Sequence, residues 1–76
     1  MTDLKPGRYK HYKGSLYEVL GTAIHSETEE ELVLYKMLYS TTKYPEGTLW
    51  VRPKKMFMEK IEIEGISVNR FQYVGF

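Results

Sequence analysis

Short segments of alternating polar and apolar residues recur along this chain, and within the segment 59–64 charged and apolar residues alternate one for one from residue 60. A period of two is that of a β-strand with one wet and one buried face. Turn-forming stretches, such as residues 13–15 and 40–47, separate the segments. Further segments rich in β-branched and aromatic residues are predicted strands, at residues 7–12, 16–25, 49–52 and 68–74. The pattern therefore predicts an all-β domain.

Residues 29–38 allow two interpretations. Ser26 or Thr28 could cap a helix that begins with the glutamates at positions 29–31, since acidic residues suit a helix N-terminus. We favour a loop at residues 26–31 followed by a strand, because period-two spacing divides the apolar side chains between two faces. One face carries Val33, Tyr35 and Tyr39, and the other carries Leu32, Leu34 and Leu38. The strand is predicted to be buried on both sides.

Two features predict that the sheet closes on itself. Gly21, in the middle of the second predicted strand, indicates a bulge or a bend. Pro53 stops the strand before it and can begin a helical turn over residues 53–57. In that turn, Met56 and Phe57 are predicted to plug one end of the structure. Five strands and one helical turn predict a small antiparallel barrel with an SH3-like layout.

The chain has 76 residues and no cysteine, so no disulfide and no thiolate metal site can stabilise it. We expect residues 1–76 to form one domain, because a chain of this length cannot hold two hydrophobic cores. Seven tyrosines, three phenylalanines and one tryptophan are then the main source of cohesion. The sequence has neither a signal-peptide pattern nor an apolar run of membrane-spanning length, which predicts a cytoplasmic protein without a membrane partner.

Several motifs follow the order found in a small bacterial family. They are residues 7–14, 17–21, 25–28, 33–39 and 50–57. From residue 7 to residue 73 the chain therefore resembles the family catalogued as domain of unknown function number sixteen fifty-three. The resemblance implies a small SH3-like β domain, and it implies no activity, cofactor or catalytic residue. The chain departs from the family at Ile24 and Asn69, where arginine and proline are more typical, and in a longer turn at residues 43–47.

A turn that concentrates polar groups follows the second predicted strand. His25, Ser26, Glu27 and Thr28 bring an imidazole, two hydroxyls and a carboxylate to a strand end, where small barrels often present binding groups. This turn is the first candidate ligand site, and it would suit a small-molecule sensor. In the alternative interpretation, Ser26 and Thr28 bond neighbouring amides and His25 caps the turn, so that these residues hold only its shape.

The sequence contains no motif that pairs a nucleophile with a base or two carboxylates in a closed pocket. We therefore expect a protein that is not an enzyme, with no catalytic residue and no cofactor. A metal site built from His11, His25 and Glu18 or Glu27 is not expected either. With a turn at residues 13–16, His11 pairs near Glu18, and His25 lies roughly 20 Å further along at about 3.3 Å per residue.

Basic and aromatic residues are interleaved, as in surfaces that stack bases and contact phosphates. The cations of such a patch would be Arg8, Lys10, Arg52, Lys54 and Lys55. A formal net charge of only +1, and the need for Trp50 in a cysteine-free core, argue against it. We therefore expect first a protein or peptide partner, bound by exposed tyrosines such as Tyr9 and Tyr12, and second RNA or single-stranded nucleic acid. The oligomeric state does not follow from the sequence.

Overall fold

The computed structural model describes residues 4–75 as seven strands and one short helix. The elements are β1 Gly7–His11, β2 Leu16–Ile24, β3 Glu31–Met37, β4 Leu49–Pro53, α1 Lys54–Phe57, β5 Lys60–Ile63, β6 Ile66–Asn69 and β7 Phe71–Gly75. The predicted all-β class is confirmed. Over the part described, no helix is long and apolar enough to cross a membrane.

The strands form two antiparallel sheets. The larger sheet has the order β4-β3-β2-β1-β7, and β5 and β6 form a separate hairpin. Between residues 4 and 75, hydrogen bonds do not join β7 back to β4, so the pairing does not close a barrel. The larger sheet nevertheless curls. The ring centroid of Phe71 in β7 lies 5.7 Å from that of Tyr17 in β2 and 5.9 Å from that of Tyr35 in β3.

Buried side chains fill the concave side of the larger sheet. They are Tyr9, Val19, Val33, Tyr35, Phe57 and Phe71. Phe57 of α1 is 1% exposed and stacks flat on Phe71, with the ring centroids 4.1 Å apart. The predicted plug is therefore confirmed for Phe57. It is wrong for Met56, which is 47% exposed, because a single helical turn presents only one side to the core.

Residues 31–37 form a strand, which confirms the predicted strand and excludes the alternative helix in this region. The inner face of β3 is buried at Val33, Tyr35 and Met37. Its outer face is only half-buried at Leu32 and Leu34, because the core lies on the concave side of the sheet alone. The predicted burial on both sides of this strand is therefore wrong.

A bulge bends β2 at the predicted position. The pairing of β2 with β3 shifts register between Val19 and Gly21, and the intervening Leu20 has no partner in the ladder. A bulge bends its strand and increases the local twist, which helps the sheet to curl around the core.

The C-terminal region contains two strands where the sequence predicted one. β6 ends at Asn69 and β7 begins at Phe71. Arg70 interrupts them, because its amide N–H donates to the carbonyl of Glu59, 3.1 Å away. The chain therefore leaves the small sheet at Arg70 and enters the larger one at Phe71.

The hairpin of β5 and β6 closes through a tight turn at Glu64 and Gly65, where φ is +52° and +79°. Two consecutive residues with positive φ form the turn type that suits two-residue hairpins. The predicted buried face of β5 is half-buried at Ile61, and Ile63 is 41% exposed. That prediction is only partly correct, because the hairpin lies outside the larger sheet.

Candidate functional site

The turn that carries His25 is held by bonds to its own backbone. The Nδ1 atom of His25 accepts the amide N–H groups of Glu27 at 3.1 Å and Thr28 at 3.3 Å. The amide N–H of His25 donates to the carbonyl of Glu30, 2.8 Å away. Because Nδ1 is the acceptor, the neutral ring carries its proton on Nε2. The imidazole therefore caps the turn.

Among the other polar side chains of this turn, Thr28 also bonds a backbone amide of the turn. The hydroxyl of Thr28 accepts the amide N–H of Glu30 at 3.2 Å, while Ser26 and Glu27 are exposed. Glu29, which lies between Thr28 and Glu30, adopts a positive φ of 62°. The four predicted residues are adjacent, and the bonds of His25 and Thr28 support the shape of the turn. Their role in binding a ligand stays a prediction.

The two tyrosines predicted to bind a ligand have different surroundings. Tyr9 is 6% exposed, and its hydroxyl donates to the carbonyl of Lys5, 2.7 Å away. Its ring packs in the core against Phe57, with the centroids 5.5 Å apart. Tyr9 is therefore buried, which corrects the predicted exposure, while its role in binding a ligand stays a prediction. Tyr12 is 39% exposed, and its ring centroid lies 4.5 Å from that of His11.

The five cations predicted to contact nucleic acid do not share a face. Arg8 and Lys10 alternate with buried Tyr9 on β1, so they lie on the convex side of the sheet. Arg52 lies on the concave side, against a core ring. The other two stand on α1, where Lys54 pairs with a glutamate of β3 at 3.5 Å. These residues do not form one contiguous basic patch.

Aromatic side chains concentrate instead where the concave face meets the loop between β3 and β4. They surround a cavity of about 480 Å³, within the range of about 300–1,000 Å³ that is typical of ligand sites. We call this cavity the Arg52 cleft. It is lined by Tyr17, Tyr35, Met37, Tyr39, Thr41, Thr42, Lys43, Tyr44, Trp50 and Arg52.

Three neighbouring strands present the walls of the Arg52 cleft. In the sheet register, Trp50 of β4 lies opposite Tyr35 of β3, and Met37 of β3 lies opposite Tyr17 of β2. Trp50 and Arg52 are two residues apart on one strand, so both face the concave side. The register therefore places the guanidinium and the indole in one row along the edge of the sheet.

The loop between β3 and β4 adds a further tyrosine ring. The hydroxyl of Thr41 accepts the amide N–H groups of Lys43 at 3.2 Å and Tyr44 at 3.0 Å. These bonds fix the loop so that the Tyr44 ring meets Trp50 edge to face, with the centroids 4.9 Å apart. Because Tyr44 is 39% exposed, it forms the solvent side of the cleft.

Two tyrosines share a hydrogen bond on another wall. The hydroxyl oxygens of Tyr17 and Tyr39 are 2.6 Å apart. Burial of the Tyr17 ring is the main cause that raises the pKa of Tyr17 well above its usual value, and the hydrogen bond with Tyr39 raises this pKa further. Tyr17 therefore stays neutral at physiological pH, and this wall offers ring faces rather than charge.

Arg52 and Trp50 each carry a donor group of the cleft. The guanidinium carbon of Arg52 is 5.6 Å from the ring centroid of Phe71. No carboxylate of residues 4–75 lies within 4.0 Å of the Arg52 nitrogens. The Nε1 atom of Trp50 is buried, and no atom of residues 4–75 accepts a hydrogen bond from it. Within residues 4–75, the cleft is therefore lined by a cation without a counter-ion and by the ring of Trp50, whose buried N–H has no acceptor.

The positive potential of Arg52 extends beyond the cleft. The ring centroid of His11 lies 4.9 Å from that of Phe71, the ring on which Arg52 packs. Burial lowers the pKa of His11, and the positive charges of Arg52, Arg70 and Lys13 lower it further. The charge of Arg52 therefore acts on His11, a residue outside the lining of the cleft.

A second cavity, of about 330 Å³, is a weaker candidate. It is lined by Leu4, Lys5, Tyr9, Phe57, Met58, Asn69, Phe71, Gln72 and Tyr73. Its polar side chains interact with each other. The amide of Asn69 donates to Gln72 Oε1 at 3.0 Å, and Lys5 Nζ lies 5.4 Å from the Tyr73 ring centroid. It therefore lacks the unpaired groups of the Arg52 cleft.

The register predicted for the first hairpin is wrong. Glu18 pairs with Arg8 rather than near His11, because the first turn runs from His11 to Ser15, whose carbonyl accepts the amide N–H of His11 at 2.7 Å. In the described chain from residue 4 to residue 75, no three His, Asp or Glu side chains are grouped as ligands of one metal ion.

The sequence did not single out Tyr17, Tyr39 or Tyr44 as site residues. Trp50 was expected in the core, whereas it is half-buried and forms a wall of the cleft. The spacing of Trp50 and Arg52 could have indicated that they share a face. The tyrosines join the cleft through the pairing of neighbouring strands and the conformation of the loop between β3 and β4, which the spacing within one strand does not reveal.

These features define a small all-β domain with a curled sheet and an aromatic cleft on its concave side. Residues 7–73 match the family described as Protein of unknown function (DUF1653), and the chain belongs to that family. The crystal structure of a protein belonging to DUF1653 from Bordetella bronchiseptica is similar. It is 37% identical, the match covers 96% of this chain and 90% of that chain, and the TM-score is 0.85. No curated protein matches the chain.

Proposed function

We propose that the domain is a non-enzymatic module that binds a peptide segment of a protein partner in the Arg52 cleft. The observation that carries this proposal is that two donor groups beside a wall of tyrosine rings, the Arg52 guanidinium and the Trp50 indole, have no partner among residues 4–75. Tyrosine, tryptophan and arginine are the side chains that most often dominate the energy of protein interfaces. The cleft therefore has the composition of a recognition site.

A peptide suits the cleft because its backbone carbonyls are hydrogen-bond acceptors. A buried N–H without an acceptor costs about 1–3 kcal/mol, so a carbonyl that reached Trp50 would remove this penalty in the complex. Aromatic-lined grooves bind extended and proline-rich segments in other domains. Tyr44 packs against Trp50 with the ring centroids 4.9 Å apart, and because the Nε1 atom of Trp50 is buried, a neighbouring side chain would have to move to admit the peptide.

The lining of the cleft also supports binding rather than catalysis. Its ten lining residues, all within the described part of the chain, include no carboxylate and no imidazole. General acid–base catalysis most often uses a carboxylate or an imidazole, a group that exchanges its proton near neutral pH within hydrogen-bond reach of the reacting atom. Tyr17, with its raised pKa, does not supply one at neutral pH. The cleft thus offers contact area, donors and one cation.

Single-stranded nucleic acid is the second candidate, because stacking rings and cations near His11 suit bases and phosphates. Two observations make it weaker. The predicted basic residues lie on both faces of the sheet, and one of them, Lys54, already pairs with a glutamate, as do Lys36 and Arg70. Cations spread over both faces do not form the continuous basic path along which a phosphate backbone, which normally supplies most of the affinity, is contacted.

We place the module in the cytoplasm of a bacterium. The similar protein of known structure comes from Bordetella bronchiseptica, and the sequence lacks the cysteines on which small secreted domains commonly depend. Fractionation of cells that express a tagged copy tests the location. Recovery in the membrane or secreted fraction would contradict it.

The binding test is a selection from a library of random dodecamer peptides displayed with free C-termini, followed by titration of soluble selected peptides. The chain has one tryptophan, so the emission of Trp50 reports directly on the Arg52 cleft. We expect selected peptides to change this emission with saturation. Saturable binding without any change in emission would place the ligand elsewhere.

Two exposed tyrosines provide a matched pair of variants. Tyr44 and Tyr12 are both 39% exposed, and only Tyr44 lines the cleft. We expect Tyr44→Ala to weaken peptide binding by about tenfold, the effect of losing an interface ring worth at least about 1.4 kcal/mol. Tyr12→Ala should bind like the unchanged protein. The reverse result would move the site to the Tyr12 side of the domain.

Random single-stranded RNA and DNA form the competing arm of the test. If phosphates are the main contacts, affinity should fall steeply between about 50 and 200 mM salt, whereas peptide binding in a tyrosine-lined cleft should change little. Tight, salt-dependent oligonucleotide binding together with a failed peptide selection would support the second candidate and overturn the first.

A further inference from the structure

Arg52 differs from three other cations of the domain in its surroundings. Lys36 pairs with a glutamate at 3.6 Å, Lys54 at 3.5 Å and Arg70 at 2.8 Å. Arg52 is half-buried, packs on an aromatic ring and has no carboxylate of residues 4–75 within 4.0 Å. A partly desolvated guanidinium gains most from a counter-ion, because the charge is less well screened than on the surface.

We propose that the peptide bound in the Arg52 cleft carries a carboxylate that pairs with the Arg52 guanidinium. This inference rests on the proposed function and names the chemistry of the ligand. The carboxylate comes either from an acidic side chain or from a free peptide C-terminus. Both present the same two oxygens, and the planar guanidinium can bond both of them at once.

Charge complementarity is the argument for an acidic ligand. Clefts lined by tyrosine and tryptophan often bind cations over their ring faces. Here Arg52 and Lys43 both line the cleft, so a cationic ligand would be repelled. Lys13, which pairs with no carboxylate of residues 4–75, lies close enough to His11 to lower its pKa, and it extends the positive region beyond Arg52. The rings then supply contact area, and the cation selects the sign of the ligand.

The test compares selected peptides with neutral versions of the same sequence. One version replaces each acidic side chain by its amide, and the other has an amidated C-terminus. We expect one of these changes to weaken binding by about 10-fold to 100-fold, as for a charge-assisted bond lost from a partly buried pair. The change that has this effect identifies the source of the carboxylate.

Variants of Arg52 show whether that carboxylate meets this residue. In Arg52→Gln, the acidic and the amide peptides should bind equally, and the affinity should match that of the amide peptide for the unchanged protein. Arg52→Lys should retain part of the preference for the acid, because it keeps the charge but not the planar fork. Arg8→Gln, on the convex side, is the matched control and should retain the full preference.

Each outcome decides between specific alternatives. If no peptide is selected, both the proposed function and this inference fail. If peptides are selected but their acid and amide forms bind the unchanged protein equally, only this inference fails. A preference for the acid that persists in Arg52→Gln also overturns it. Thermal unfolding followed by circular dichroism verifies that each variant is folded. The ratio of the affinities of the acidic and the amide peptide for the unchanged protein tests the inference even if a variant fails to fold.

Discussion

Arg52 and Phe71 stand on the two edge strands of the five-stranded sheet, yet the guanidinium carbon lies only 5.6 Å from the ring centroid. In a flat sheet, the four strand spacings of about 4.8 Å would hold these edges roughly 19 Å apart. The contact therefore measures how far the sheet curls. Without this curl, Arg52 would not pack against the Phe71 ring, which positions the guanidinium at one end of the cleft.

Phe57→Ala should unfold or nearly unfold the domain. Phe57 is 1% exposed and stacks on Phe71, so its loss leaves a cavity at the centre of the core. Such substitutions cost about 3–5 kcal/mol, comparable with the whole stability of a small domain. Urea unfolding followed by circular dichroism measures the cost.

The adjacent Met56→Ala is the control for this experiment. Met56 is 47% exposed on the same helical turn, so its replacement should change the free energy of unfolding by less than about 0.5 kcal/mol. Equal costs for the two substitutions would mean that α1 does not pack as described.

Gly7→Ala should destabilise the domain more than Gly14→Ala. Both glycines have positive φ, +135° and +106°, so both alanines are strained. A Cβ at position 7 would also lie 3.0 Å from the carbonyl oxygen of Gly75 and 3.0 Å from Cε1 of Tyr73, whereas nothing lies within 4 Å at position 14. We expect the difference in unfolding free energy to exceed about 1 kcal/mol. Equal costs would mean that β1 and β7 are further apart in solution.

Trp50→Phe should cost less than about 1 kcal/mol of stability. The change keeps an aromatic ring and removes a buried N–H that has no acceptor among residues 4–75, so the two effects oppose each other. Trp50→Ala should cost about 3 kcal/mol, because the half-buried ring packs against the core. A cost of Trp50→Phe close to that of Trp50→Ala would show that the indole N–H is bonded in solution.

The pKa of His11, followed through its ring protons by NMR, should lie below 6.5. Burial disfavours the charged ring, and the nearby cations add to this effect. The unfolded chain then binds more protons between the lowered pKa and 6.5, so this residue makes stability fall as pH falls through that window. From about one pH unit above 6.5 the ring is largely neutral in both states, and it contributes almost no slope.

Two variants test the cause of this shift. Arg52→Gln removes a neighbouring positive charge and should raise the pKa of His11 toward 6.5. Arg8→Gln removes a charge from the convex side and should leave the pKa of His11 where it is. An unchanged His11 pKa in Arg52→Gln would mean that the two groups do not face each other.

Local features of the fold could be predicted from the sequence. Period-two spacing identified β3 as a strand, Gly21 marked the bulge, and Pro53 marked the start of the helical turn. The interruption at Arg70 could not be predicted, because it depends on a hydrogen bond to Glu59, eleven residues earlier. Likewise, the alternation in β5 predicts two faces but not whether another element covers one of them.

The candidate site was less accessible to sequence reasoning than the fold. The polar turn at His25 attracts attention because its groups are adjacent in sequence, and the structure shows His25 bonding its own turn. The Arg52 cleft joins residues that are far apart in sequence. Its assembly depends on the register of Trp50 against Tyr35 and on the bonds of Thr41 that position Tyr44.

The most direct measurement is the change in amide and indole NMR signals when a selected peptide is added to ¹⁵N-labelled protein. The single indole N–H signal belongs to Trp50, so it reports on the cleft without further assignment. Binding in the Arg52 cleft predicts that this signal moves together with the amides of residues 39–44 and 50–52. Shifts confined to residues 25–30, with the indole signal unmoved, would contradict it.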